Sequence, residues 1–235
     1  IGPTAYLTPI LIGICVLVAL VTNFGEAEFD NVAFQYLNYT YVGPLTESQF
    51  DWAISIVNNP DSLNARTISL QRGEIWRVIT PIFLHFGIIH ILFNMWWLAS
   101  LGSAIEKRYG MLSLGLLVLV SAVLPNMAQC MVPGAWGGSA PVVFNNHILV
   151  GGGGMSGVVY GLLGFVWMKS VYDPKSRLYI SEFNVIFMIA WLVACCFGPQ
   201  LHKMGITIIP DNVANWAHGI GLLVGAVAGY FTSPR

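Results

Sequence analysis

The sequence predicts an all-α polytopic membrane protein of six spans, and three observations carry that prediction. Of 235 residues, 56% are hydrophobic and only 9% are charged, against roughly 25% charged in an ordinary soluble domain. The mean hydropathy is +0.69 in a 25.7 kDa chain, more apolar side chain than one water-surrounded core could hide. The apolar residues are also gathered in long runs suited to helices that cross hydrocarbon. Ten basic and eleven acidic residues give a net charge of −1. With no basic tail or arm, nothing invites nucleic acid as a partner.

The spans fall at about 5–23, 82–105, 111–132, 155–171, 183–201 and 213–231 in one membrane domain covering 1–235. The first run has no basic leader and no small-residue cleavage site, so it reads as a retained span. The abrupt start at Ile1 reads as the trimmed beginning of a longer protein. Residues 24–81 are too long for a simple connection and too rich in Trp, Tyr, Phe and Ile for a solvated linker. They are expected to lie on the membrane interface. A second long connection, Pro133 to Gly154, is rich in Gly and Pro and carries Trp136, Phe144 and His147; its path is not readable from sequence. Cys15, Cys130, Cys195 and Cys196 form no CxxC spacing and sit in or at the ends of apolar runs, as small buried hydrophobes do.

Six spans put both termini on one side with Lys107, Arg108, Lys169, Lys175, Arg177 and Arg235. The opposite side holds Arg66, Arg72, Arg77 and Lys203 among a larger number of acidic residues. Counting Lys and Arg in short loops places both termini in the cytoplasm, and the expected location is the cell (inner) membrane.

The fourth span is anomalous. Ser156 to Val171 makes only about 24 Å of helix, short of the roughly 30 Å hydrocarbon thickness. With Lys169 pinning the cytoplasmic end at the interface, Ser156 falls below the outer surface. The glycines at 151–154 then become irregular backbone at membrane depth, tolerated only where it is buried in protein or lines a wet cavity.

Few polar residues could line that hollow: His85, His90, Asn94, Ser156, Asn184, Asn215 and His218. Polar residues at this depth are functional candidates, although singly each also suits a role in gluing helices together. Their joint placement is more telling. Ser156 opens a helix after a glycine run, where backbone N–H groups are unpaired and point at whatever binds there. His218 heads a helical face continued by Gly221, Gly225 and Gly229, while Gly157, Gly161 and Gly164 form a matching face after Ser156. Two small-residue faces pack closely in membranes, which would bring His218 to Ser156. An imidazole is the side chain suited to take a serine proton at neutral pH, so the pair is a candidate dyad. Tyr160, one turn after Ser156, either fixes the ring or packs as an ordinary aromatic. His90 and Asn94 share a helical face, where they either donate to an oxyanion, hold spans together or face water. Metal ligation by His85, His90 and His218 lacks a carboxylate or thiolate to complete a set, and neither metal nor cofactor is expected.

These motifs resemble the rhomboid intramembrane serine proteases, of the bacterial type. The matching residues are Trp76-Arg77, His85-Phe-Gly-Ile-Ile-His90-Ile-Leu-Phe-Asn94, Glu106-Lys-Arg108-Tyr-Gly110, Gly154-Met-Ser156-Gly157-Val-Val-Tyr160 and Ala217-His218-x-x-Gly221-x-x-x-Gly225. The resemblance implies a six-helix bundle in which Ser156 is nucleophile and His218 general base. It implies an oxyanion hole of His90, Asn94 and the Ser156 amide, with Gly154 shaping the loop and Tyr160 packed on the catalytic ring. Trp76, Arg77, Glu106 and Arg108 become structural. Span five and the loop after it, 198–212, would gate entry of transmembrane protein substrates from the lipid, with Met204, Ile208 and Ile209 as an apolar cap. The rival of another class is a noncatalytic protein of the same fold that binds transmembrane helices; its usual mark is a missing Ser or His, and both are present. A channel or transporter is the third class.

Overall fold

The computed structural model of the chain describes residues 4–25, 31–43, 46, 51, 69–131, 141–144, 147–150, 152–208 and 213–234. In chain order the helices are α1 (Leu7–Val21), the short α2 (Val32–Leu37), α3 (Ile88–Tyr109), α4 (Met111–Met131), α5 (Ser156–Tyr172), α6 (Glu182–Cys196), the short α7 (Gly198–Lys203) and α8 (Asn215–Phe231). The six long ones overlap the six expected runs. α3 and α4, at 22 and 21 residues, are long and apolar enough to cross a membrane. α1 and α6 are shorter apolar helices. The long helices also leave large apolar side chains uncovered, including Leu17, Ile89, Trp96, Leu112, Phe183, Leu223 and Phe231, as faces turned to hydrocarbon do.

Two boundaries differ from the sequence expectation. The second run was expected to be helical from Ile82, but α3 starts at Ile88. Thr80–Phe83 is a single 3-10 turn with proline at its start, and Leu84 is extended. The Pro81 carbonyl accepts from Leu84 N and from Gly154 N at 3.1 and 2.9 Å, so this apolar stretch is a brace for the glycine loop. Hydropathy measures apolarity and is blind to that pairing. The fifth run breaks at Phe197, and α7 follows a separate start at Gly198-Pro199.

A small antiparallel sheet, absent from the sequence expectation, ties the two long connections together. Its strands are β1 (Thr40–Val42), β2 (Pro141–Phe144) and β3 (His147–Val150), in the order β1-β3-β2. Thr40 pairs with Val150 and Phe144 with His147. β3 ends two residues before Gly152, so the first connection is hydrogen-bonded to the strand that leads into Ser156. Trp136 and Ile209 lie outside the described residues.

α5 is the centre of the bundle, with buried side chains on all sides. Its contact with α8 is backbone on backbone. A Cβ added to Gly221 would strike the Gly157 carbonyl, one on Gly225 the Gly161 carbonyl, and one on Gly164 the Leu222 carbonyl. Glycine is required there by space alone.

Charged side chains lock the helix ends. Glu106 Oε1 accepts from the amides of Tyr6 and Leu7 at 2.8 and 2.6 Å, and Oε2 accepts from the Thr8 amide and hydroxyl at 2.9 and 2.8 Å. A carboxylate from the end of α3 thus caps the open N-terminus of α1, where unpaired amides and the helix dipole both favour an anion. Arg77 does the converse for α2. Its Nη1 donates to the carbonyls of Gln35 and Asn38 at 2.6 and 2.8 Å while Nε pairs with Glu74 at 2.6 Å, and its guanidinium lies 5.9 Å from the exposed Trp76 ring. Arg108 reaches the Lys175 carbonyl at 3.1 Å. Lys169 does not pin α5 at a water surface as expected; it is 2% exposed. Its ammonium donates to the Thr232 carbonyl at 2.7 Å and to Asp173 at 3.2 Å, beside the Tyr109 and Phe165 rings. It joins the C-terminal ends of α5 and α8.

Replacing Gly225 by Leu should therefore lower stability by at least about 2 kcal/mol, because the obstacle is backbone and cannot give way. Gly13→Ala, on an α1 position where a Cβ meets nothing within 4 Å, should be neutral or slightly stabilising. Thermal or SDS denaturation in micelles separates the two.

Candidate active site

The glycine contact sets two side chains side by side. His218 Nε2 lies 2.7 Å from Ser156 Oγ, although 62 residues separate them in the chain. His218 is buried, and Ser156 is the first residue of α5. For the hydroxyl to donate to Nε2, the neutral imidazole carries its proton on Nδ1, which is the protonation state of a base ready to accept. The Tyr160 ring lies 4.8 Å from the His218 ring, centroid to centroid, at an interplanar angle of 32°. The two rings are thus in contact, as either sequence reading of Tyr160 allows. Its hydroxyl donates to the Met188 carbonyl at 2.9 Å, tying the ring to α6.

The loop before Ser156 is glycine for steric reasons at three places. Gly152 and Gly154 have φ of 144° and 122°, a region closed to residues with a Cβ. A Cβ on Gly153 would strike the Pro81 carbonyl, and one on Gly154 would sit 2.9 Å from both Cε1 and Nε2 of His90. The His90 ring therefore rests directly on the loop. Its Nδ1 accepts from the Phe86 amide at 3.2 Å, which leaves the ring proton on Nε2 as a donor beside Gly154. Asn94 is buried, and one of its amide hydrogens goes to the His90 carbonyl at 2.9 Å. The second remains for another acceptor. Asn94 is not in hydrogen-bond contact with Ser156 or His218, so the structure joins Ser156, His218 and Tyr160 directly and sets His90 against the loop, with Asn94 one turn further along α3.

Gly157 faces Pro125 and Ala217, and Gly221 and Gly225 form the α8 side of the seam. Met204 and Ile208 are exposed apolar residues after α7. His85, grouped with the metal candidates in sequence, braces the loop instead. Its Nδ1 donates to the Phe83 carbonyl at 3.1 Å and its Nε2 faces the Met155 amide at 3.5 Å. No group of three metal-ligating side chains forms among the described residues. Two further polar side chains support the site: Gln129 accepts from the Ala217 amide at 3.2 Å, and Asn215 donates to the Cys195 carbonyl at 3.1 Å. Asn215 was visible as a polar residue inside a span. Gln129, at the end of an apolar run, carried no such flag.

Taken together, the fold and the site define a helical integral membrane protein with a serine and a histidine meeting at the head of two glycine-packed helices. The rhomboid domain model matches residues 72–235, and the chain belongs to the rhomboid family. Among curated proteins it is 38% identical over 152 residues to the rhomboid protease GlpG of Salmonella paratyphi A. It is 39% identical to that of Salmonella choleraesuis and 38% to that of Salmonella newport over the same length. Each match covers 65% of this chain and 46% of the relative, so the chain spans about half the length of the curated relatives it matches.

The two contacts of Tyr160 make separable predictions for the reactivity of Ser156. Tyr160→Phe keeps the ring against His218 and should label with a small fluorophosphonate at close to the parent rate. Tyr160→Ala removes the ring and should label roughly two- to tenfold more slowly, the worth of one aromatic contact.

Proposed function

We propose that this chain is an intramembrane serine endopeptidase that cleaves transmembrane or juxtamembrane segments of membrane proteins, with Ser156 as nucleophile and His218 as general base. The observation that carries the reading is the 2.7 Å hydrogen bond between the two in a site built by glycine packing. In this reading Ser156 Oγ attacks the scissile carbonyl as its proton passes to Nε2. The oxyanion is received by the Ser156 amide at the open end of α5, by the His90 Nε2 proton and by the free Asn94 amide hydrogen. The imidazolium returns its proton to the departing amine, and a water activated by the same base releases the acyl group. No cofactor or metal enters these steps.

The same reading takes all six long helices as spans of the cell inner membrane, with both termini cytoplasmic and Ser156 recessed below the outer face. It takes 24–81 as an interfacial loop, and α6 with 198–212 as the side from which a substrate helix arrives out of the lipid. What favours that side is the thin cover of α6, where only Val185, Met188 and Cys195 are buried.

Purified protein in detergent should cleave a model transmembrane substrate, and Ser156→Ala should abolish cleavage. Asn94→Ala should lower kcat by about a hundredfold or more, the cost of one oxyanion donor being about 2.7–4 kcal/mol. A fluorophosphonate adduct on Ser156, lost in His218→Ala, distinguishes the enzyme from a helix-binding protein. Cleavage persisting in Ser156→Ala would end this reading.

A further inference from the structure

The imidazole at the centre of the site is half satisfied. With Nε2 receiving the Ser156 hydroxyl, the proton of the neutral ring sits on Nδ1, and Nδ1 is buried without a hydrogen-bond partner among the described residues. Asn215, three residues earlier on α8, shows the complementary deficit. Its Nδ2 donates to the Cys195 carbonyl at 3.1 Å, which fixes the way the amide is turned. Its Oδ1 is then a buried acceptor with no donor. Both side chains are more than nine-tenths buried, at 6% and 5% exposed, and residues three apart on a helix occupy one face with Cβ atoms about 5–6 Å apart. A lone buried donor and a lone buried acceptor thus stand one turn apart on α8, and a single water is the bridge that suits such a pair.

We propose that Asn215 is a positioning residue for His218: Nδ1–H donates to one bridging water, which donates to Asn215 Oδ1, and this holds the ring in the tautomer that presents Nε2 to Ser156. The proposal rests on the proteolytic reading above. It gives the amide the orienting part that a carboxylate plays in a triad, without placing a charge in the interior. The titratable groups around the ring are Ser156 and Tyr160 from α5, His90 from α3 and Cys195 from α6, while α4 contributes the neutral Gln129 through Ala217. Glu106, Lys169 and Glu182 sit at the other ends of their helices. No acidic side chain among the described residues pairs with the imidazole.

The test compares Asn215→Leu and Asn215→Asp in the whole chain. Leu removes the acceptor and should lower kcat about tenfold with KM for a transmembrane substrate nearly unchanged. Asp removes the donor to Cys195 but keeps an acceptor toward Nδ1, so its kcat should stay well above that of Leu. Because an anion there favours the imidazolium, which cannot act as base, the acid limb of kcat/KM should move to higher pH. The proposal is overturned if Leu keeps the parent kcat, if Asp falls with Leu, or if the acid limb of Asp does not move. In the unsubstituted protein, 15N spectra of labelled histidine should show His218 protonated on Nδ1; a proton on Nε2 overturns it whatever the variants do. Failure of Ser156 to take a fluorophosphonate in the parent protein would instead sink the proteolytic reading, which keeps the two failures distinct.

Discussion

The contact on which everything else depends is the approach of α5 and α8 to backbone distance. Gly221 and Gly225 of α8 lie on the Gly157 and Gly161 carbonyls, and Gly164 of α5 lies on the Leu222 carbonyl, with no room for a single added carbon at any of the three. In hydrocarbon, helices gain little from hiding apolar surface against each other, so close van der Waals packing holds them together. The same packing dictates chemistry. Ser156 opens one helix and His218 stands near the start of the other, so joining the glycine faces in register joins the two side chains as well. Stability and site geometry are two readings of one seam.

Around that seam, the polar side chains mostly serve main-chain groups rather than one another. Glu106 collects the first amides of α1, Arg77 the last carbonyls of α2, Gln129 an amide of α8, and Tyr160 and Asn215 carbonyls of α6. A bilayer offers no water to exposed N–H and C=O groups, so each helix end or loop at depth must find its partner inside the protein. Side-chain ion pairs are correspondingly few among the described residues: Arg77 with Glu74 and Lys169 with Asp173. Each of these shares its cation with backbone carbonyls.

The helices were legible because hydropathy and length report apolar burial directly, and the meeting of Ser156 with His218 was legible because glycines at offsets of three and four fix which faces meet. Less could be read where partners are distant in sequence. The start of α3 at Ile88 depends on Pro81 being engaged by Gly154, some seventy residues away. The pairing of β1 with β3 joins two connections whose composition signals only turns and interface. Lys169 looked like a surface anchor because a lone lysine at a helix end normally is one; its burial becomes visible only with Thr232 and Asp173 in place. His90 stood apart from His85 in sequence through its spacing to Asn94, but the loop-bracing contacts of His85 with Phe83 and Met155 depend on partners the sequence does not display.

The Glu106 cap also couples α1 to α3. The amides of Tyr6, Leu7 and Thr8 lie about a hundred residues before the carboxylate that receives them, so the leading turn of α1 has its hydrogen bonds completed only with the end of α3 in place. α1 and α3 are therefore held as a pair, and loss of the one carboxylate would leave three amides at the head of α1 without their partner.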